Sequence, residues 1–534
     1  MNPNKFCFIL TGRVPAVIEE MQHYIGALEV PDDCEIETLV MPGDLKRAEA
    51  YQQAMKRTDA KYKIYIAEGV FPIHRRMLAE LLEKFRSNPE LGILGIAGAA
   101  YVPMAVDWRQ AVERSGAYIE RSGNDRMTHL PPVAHDAVVP AAILSDYFLA
   151  TQYDVDWDTD SPNDAFLGEV HTLRFLQAGY QAGLPGSTVP WCLVDASWAN
   201  RDQPSEQARE WFMRHYSEAA FPKVSVLIPT YNRPDYFEQA LQSALEQTYR
   251  HLEIIVGDDS TNDETQERIR PYLERDPRII YIRNERNLGQ FENDLKLMEL
   301  VGSEYVNFLM DDDLFDPHKI ERMMAYMLDD REERISLVTS YRKLIDAEGN
   351  LIPDRGFNRP LYDKDTRISG IALGDIILRY NWNCIGEPTT PLFRKKLLRA
   401  PFGTFAGRSY HCNVDIATWL NLLQHHDAVY ISQPLSYFRL HGEQQQFSPK
   451  LQVGGFSDYA HQLLTAPEYG YMRKKGEYLK ALKFCYDYAQ KVLTENYEHR
   501  DKYAEYFTEL EEKMKLVRER YLACAPKVSV LIPV

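Results

Sequence analysis

Three apolar runs in the middle of this chain stop abruptly at polar clusters, and that alternation narrows the folds open to it more than any other feature. Residues 223–228 and 252–256 are rich in Val, Ile and Leu, and residues 305–310 repeat the pattern. Near-continuous apolar runs of this length suit strands covered on both faces, as in a parallel sheet. Residues 235–247 and 290–301 carry helical spacing, and 278–283 reads as a further strand. Strands alternating with helices imply a parallel α/β sheet whose ligand loops sit at the carboxyl ends of the strands. The three polar clusters fall at those ends: Thr230, Tyr231, Asn232 and Arg233; Asp258, Asp259 and Ser260; and Asp311, Asp312 and Asp313.

The aspartate triplet carries the strongest chemical implication. Adjacent carboxylates at one strand tip repel each other unless a cation or polar ligand relieves them. Hard oxygen ligands of this kind suit Mg²⁺ or Mn²⁺ carrying a phosphorylated substrate. A solvated acidic turn is the ordinary alternative for the triplet, as Asx-type turn capping is for Asp258 and Asp259. Convergence of three clusters on one sheet edge favours the binding reading.

Length and charge bound the rest. The chain has 534 residues and a formal net charge of -17, which argues against a general affinity for nucleic acid or anionic membrane. No uninterrupted apolar stretch reaches the roughly 18 residues needed to cross a bilayer, so a cytoplasmic protein is expected, with peripheral membrane association still compatible. Seven scattered cysteines without a CxxC pair point to free thiols. The octapeptide PKVSVLIP occurs at residues 222–229 and again at 526–533. This repeat predicts that a further domain of the same kind begins at the second copy.

The segments VSVLIPTYNRPDYFEQALQSALEQTY, EIIVGDDSTNDET, NLGQFEN and FLMDDDLFDP together resemble the inverting glycosyltransferases of family 2, which have the GT-A fold. That resemblance implies a metal-dependent transferase moving a sugar from a nucleoside-diphosphate sugar (UDP-, GDP- or dTDP-linked) to a glycan, lipid-linked or protein acceptor with inversion. Bacterial surface polysaccharide or glycoprotein synthesis would be its setting. It places Pro229, Thr230, Tyr231, Asn232, Asp258, Asp259, Asn287 and Asp311 around the donor nucleotide, with Asp259 accepting from the base. Asp312 becomes the principal ligand of Mn²⁺ or Mg²⁺, supported by Asp313 and by His441 in YFRLHGEQ. Asp415, four residues before Trp419, resembles the family's catalytic base, with Val414 where glutamate is common. Trp382 and Glu387, in the segment that reads as the acceptor-side loop, would face the acceptor or sugar.

The first 220 residues read as a depleted copy of the same design. KYKIYIAEGVFPIH lies over EYVNFLMDDDLFDPH with Glu68 as the surviving carboxylate, so this region is expected to be a degenerate, non-catalytic GT-A-like domain. Asp164 and Glu169 are the residues that would serve an alternative site there. The expected organisation is 1–218 for the degenerate domain, 219–450 for the catalytic domain, 451–525 for a helical packing segment and 526–534 for the start of a further domain. Two rivals accompany this reading. A non-catalytic glycan-binding scaffold would not need both the Asp258–Asp259 and the Asp311–Asp313 clusters, and a nucleotidyltransferase would show a glycine-rich basic loop where residues 229–234 have none.

Overall fold

The computed structural model describes residues 1–122, 126–129, 137–187, 189–199, 204–410, 412–442 and 448–525. The second octapeptide copy, and with it the expected further domain at 526–534, lies outside the described residues. The chain divides into two compact units, Met1–Phe221 and Pro222–Val534.

In the first unit, β1 (Asn2–Thr11) pairs in parallel with β2 (Glu35–Met41) on one side and β3 (Ala60–Ile66) on the other. Beyond β3 the sheet continues through Phe148–Thr151, which runs antiparallel to it, then Leu91–Gly95 and Gln181–Leu184. The helix α1 (Pro15–Gly26) follows β1, with proline in its first turn where no intrahelical N–H is lost. The helix α2 (Pro162–Asp164 precedes it, Leu167–Gln177 forms it) lies beside the short strand Ile143–Leu144.

The second unit repeats this plan with a longer sheet. β4 (Val224–Thr230) is flanked in parallel by β5 (Leu252–Asp258) and β6 (Tyr305–Phe308), and Ile279–Arg283 extends the far side of β5. All seven residues of β4 are buried, as a central parallel strand covered on both faces requires. Past β6 come Leu392–Arg394 and Ile335–Ile345, both antiparallel to their preceding neighbour, and then β7 (Asp427–Arg439). The helix α3 (Pro234–Leu245) follows β4, α4 (Gly370–Tyr380) precedes the loop that reaches the sheet edge, and α5 (Val414–Leu423) leads into β7.

The charged C-terminal stretch forms α6 (Pro449–Thr465), α7 (Lys475–Glu495) and α8 (Ala504–Cys524). These helices share one apolar core with the sheet: Tyr459, Leu463, Tyr471, Leu482 and Val517 join Trp419, Leu420, Leu423, Leu373 and Ile377. Each such fully buried side chain contributes on the order of 1.5–3 kcal/mol. The helical segment is thus continuous with the core of the second unit. No helix among the described residues is long and apolar enough to cross a membrane.

A close approach in this core is at Gly374, where an added Cβ would stand 2.3 Å from Cε1 of Tyr471. That ring is fixed by its hydroxyl, which donates to the Leu420 carbonyl at 2.6 Å. Gly374→Val is expected to destabilise the second unit by about 2 kcal/mol through overpacking, checked by urea unfolding.

Candidate active site

β6 ends at Phe308, two residues short of the sequence expectation, because Met310 turns the chain: the Asp313 N–H donates to its carbonyl at 3.0 Å. The triplet therefore occupies a turn, which aims its three carboxylates in different directions. Asp313 accepts from the Thr389 hydroxyl at 2.6 Å and from the Arg439 N–H at 3.0 Å. Asp312 Oδ2 lies 3.0 Å from His441 Nε2 and 3.1 Å from Arg233 Nη1. Asp311 accepts from the Tyr231 N–H at 3.2 Å and from Arg233 at 3.4 Å. Burial, then the charge of Asp312, pushes Asp311 up to about 7 against the pull of Arg233. The same two causes hold Asp313 well above the carboxylate range, opposed by its bonds from Thr389 and Arg439.

Arg439 makes this crowding tolerable. Wholly buried at the end of β7, it donates from Nε to the Asp312 carbonyl (2.7 Å) and from Nη1 to the carbonyls of Asp346 (3.2 Å) and Ala347 (3.0 Å). Its Nη2 donates to Gln239 Oε1 at 2.8 Å, and the guanidinium lies 4.7 Å from the Tyr236 ring centre. A planar five-donor fork can satisfy this set of directions, and an ammonium cannot.

The other clusters share the same edge. Pro229 and Thr230 are buried, and the Tyr231 side of the loop is exposed. Asn232 sits at φ 53°, a left-handed conformation asparagine tolerates, and its N–H donates to Ser260 Oγ at 2.9 Å. Asp258 accepts from the Ser260 N–H at 2.9 Å and the Tyr281 hydroxyl at 2.6 Å. Asp259 accepts from Leu288 N–H, Gly289 N–H and Asn284 Nδ2, all at 2.8–2.9 Å, so it organises the turn that follows residue 284. Asn287 is exposed in that turn and accepts from the Gly289 N–H at 2.8 Å.

On the opposite side of the triplet, Asp415 is the second residue of α5. Its Oδ2 accepts from Asn383 Nδ2 at 2.7 Å and its Oδ1 from the Ile416 N–H at 2.7 Å. Burial pushes Asp415 up to about 7, with Glu387 raising it further and the Ile416 N–H and Arg342 opposing. Glu387 is ion-paired to Arg342, Nε to Oε2 at 2.6 Å. The Trp382 indole donates to the Phe357 carbonyl at 2.8 Å and lies under Arg359 at 4.5 Å. Asp458, from α6, accepts from the N–H groups of Cys412 (3.2 Å) and Asn413 (3.1 Å), fixing the chain just before α5.

The first unit keeps the framework and spends its polar groups differently. Glu68, just past β3, accepts from the N–H groups of Arg13 (3.1 Å) and Val14 (2.8 Å) in the loop after β1. Gly168 is the second residue of α2, as Asp415 is of α5, and a Cβ there would meet the Asp146 nitrogen at 2.5 Å. Asp164 accepts from the N–H groups of Arg47 (2.7 Å) and Ala48 (3.2 Å) at the start of another helix. Glu169 is buried and pushed up to about 8, first by burial and then by Asp146 and Asp107.

No group of three or more His, Cys, Asp or Glu side chains that could hold a metal occurs among the described residues. Asp312 and His441 offer one carboxylate and one imidazole, a donor set that fits a divalent cation whose remaining ligands come from a bound phosphate and water.

A parallel-centred sheet carrying these groups at its carboxyl edge defines a GT-A-fold domain of the glycosyltransferase class. Residues 225–375 match the family described as "Glycosyl transferase family 2" and residues 7–216 match "Glycosyltransferase like family", so each unit is similar to glycosyltransferases. Asp415, His441, Trp382 and Glu387 lie beyond the second matched range. An uncharacterized glycosyltransferase of Methanocaldococcus jannaschii, MJ1057, is 36% identical over 135 residues, 25% of this chain and 46% of that protein. The match thus spans under half of that relative's length. TuaG of Bacillus subtilis, named for teichuronic acid biosynthesis, is 28% identical over 221 residues, 41% of this chain and 79% of TuaG. The crystal structure of residues 1–349 of TarS from S. aureus is 16% identical with a TM-score of 0.36, covering 58% of this chain and 94% of that one.

Sequence reasoning missed Arg439, Arg342, Asn383, Thr389 and Asp458, and gave Arg233 no separate role. Arg233 lies in a cluster already singled out, Asn383 is next to Trp382, and Arg439 and Thr389 stand two residues from His441 and Glu387. Arg439→Lys is expected to cost about 2–4 kcal/mol of stability, since it strands buried acceptors that one ammonium cannot reach together; guanidinium chloride unfolding measures it.

Proposed function

We propose that the second unit is a metal-dependent inverting glycosyltransferase that moves a sugar from a nucleoside-diphosphate donor to a glycan, lipid-linked or protein hydroxyl. The observation that carries this reading is the loop between Asn383 and Thr389. At one end it bonds Asp415 and at the other it bonds Asp313 of the triplet. One short segment thus ties a candidate base to the candidate metal carboxylates.

In this reading the donor nucleotide lies along Pro229–Asn232, Asp258 and Asn287, with Asp311 beside the ribose. Asp259 contributes by holding the 284–289 turn. Asp312 and His441 would hold Mn²⁺ or Mg²⁺, which when bound neutralises charge on the departing diphosphate. Asp415 takes the proton of the acceptor hydroxyl as that oxygen bonds to the anomeric carbon. The bond from that carbon to the phosphate oxygen breaks on the opposite face, and its electron pair leaves with the nucleoside diphosphate. A carboxylate with acidity near neutral is matched to that task. Glu387, fixed by Arg342, and Trp382 border the acceptor side.

The relative named for teichuronic acid biosynthesis supports a surface-polysaccharide acceptor. Seven unpaired cysteines support a reducing, cytoplasmic setting. The first unit is read as a non-catalytic partner domain: its Glu68 is committed to backbone N–H groups, and the second residue of α2 is Gly168 where that of α5 is Asp415.

Calorimetric titration of UDP-, GDP- and dTDP-sugars with and without Mn²⁺ tests the donor side. Asp312→Ala is expected to abolish the metal-dependent part of donor binding; unchanged binding would sink the assignment. Asp415→Asn is expected to keep donor binding and lower transfer by about 10²–10⁴-fold.

The base must be ionised to act, so transfer should rise with pH through about 7. Asn383→Leu removes a donor that favours the ionised form and is expected to move this limb to higher pH, read from the kcat profile.

A further inference from the structure

Two guanidinium groups serve the aspartate triplet, and they differ in one respect. Arg439 is wholly buried and held by carbonyls, Gln239 and the Tyr236 ring. The Arg233 side chain keeps a quarter of its surface exposed and contacts the triplet through Nη1 alone, 3.4 Å from Asp311 Oδ1 and 3.1 Å from Asp312 Oδ2. It caps no helix N–H from its place before α3. The Asp312 oxygen it touches is the one that faces His441. A divalent ion ligated there meets Arg233 as a like charge on the same ligand.

We propose that Arg233 is a resident cation that competes with the divalent ion for Asp312 and, once displaced, binds the donor diphosphate, so that metal and donor bind as a coupled pair. This rests on the transferase reading above. Guanidinium forks suit phosphate oxygens as well as carboxylates, so the displaced group has a partner as soon as a diphosphate is present. Exchange of Asp312 for phosphate keeps the arginine charge neutralised throughout, while the ion takes over the carboxylate. The coupling is reciprocal: what the diphosphate gains from Arg233 the metal gains through release of Asp312.

The test uses the full chain. Mn²⁺ alone is titrated and free Mn²⁺ is read by electron paramagnetic resonance. UDP, GDP and dTDP are then titrated calorimetrically at saturating Mn²⁺, and circular dichroism confirms that each variant is folded. Arg233→Gln is expected to bind Mn²⁺ at least about fivefold more tightly than the wild type, and the best-bound nucleotide at least about fivefold more weakly. Arg233→Lys keeps the charge and should stay close to the wild type in Mn²⁺ affinity, which separates charge competition from a change in folding. Asp312→Asn is expected to remove Mn²⁺ binding. If it does, but Arg233→Gln binds Mn²⁺ no more tightly or the nucleotide no more weakly, the proposal falls and the transferase reading stands. If Asp312→Asn leaves Mn²⁺ binding unchanged, the metal assignment falls and the proposal with it.

Discussion

Crowding of negative charge at one strand end is the constraint around which the second unit is organised. Three consecutive carboxylates are expensive to place in a part-buried turn, and two of them have pKa values raised by burial and by Asp312. The fold answers with groups drawn from distant segments. Arg439 comes from the end of β7, Thr389 from the loop after α4, Arg233 from the loop after β4, and the Tyr231 N–H from the same loop. Each closes a long sequence separation, so the triplet is held only when the whole sheet has formed. The residual tension is useful, since a site that suppresses ionisation of neighbouring carboxylates is one that a cation can stabilise.

The second consequence concerns Asp415, the proposed base. Asp415 owes its raised pKa chiefly to burial, and its position to two neighbours that belong to different parts of the chain. Asn383 fixes one oxygen, and Asp458 fixes the residues that lead into α5. Asp458 belongs to the C-terminal helices, which lie outside both family-matched ranges and share the core around Trp419. These helices therefore help to set where α5 begins. Three tyrosines of this C-terminal segment are explained by packing: Tyr459, Tyr471 and Tyr478 are buried and each donates its hydroxyl to a backbone carbonyl.

How much of this was legible in the sequence follows from the range of the interactions. Strands near 224, 252 and 305 were readable because a parallel strand buried on both faces leaves a continuous apolar signature, and the edge strand at 279 because its residues are apolar although mostly part-exposed. The carboxylate clusters were readable because their residues are adjacent. Arg342 was not, because a single arginine in an alternating strand looks like a solvated residue until Glu387 arrives from 45 positions away. Asn383 and Asp458 are equally silent, since an amide or an acid in a polar stretch carries no hint of the partner it will meet. The stop of β6 before Met310 was missed because Leu309 and Met310 are apolar, and the turn that follows is set by hydrogen bonding to Asp313 rather than by composition.

The two units place their polar groups differently on a similar framework, through a few backbone-level choices. In both, the strand beside the first strand ends near a carboxylate that accepts an N–H from the loop after that first strand: Glu68 with Arg13 and Val14, Asp311 with Tyr231. In the second unit this structural duty falls on one aspartate and leaves Asp312 for His441 and Arg233; in the first, Glu68 is the surviving carboxylate of the aligned segment and is committed to it. Restoring one acid would not suffice. At Gly168 a side chain would drive into the backbone of residues 144–146, so the helix would have to move before an aspartate could stand where Asp415 does. That close approach makes Gly168 a position that packing keeps free of a side chain, while the buried carboxylate of this helix is its neighbour Glu169.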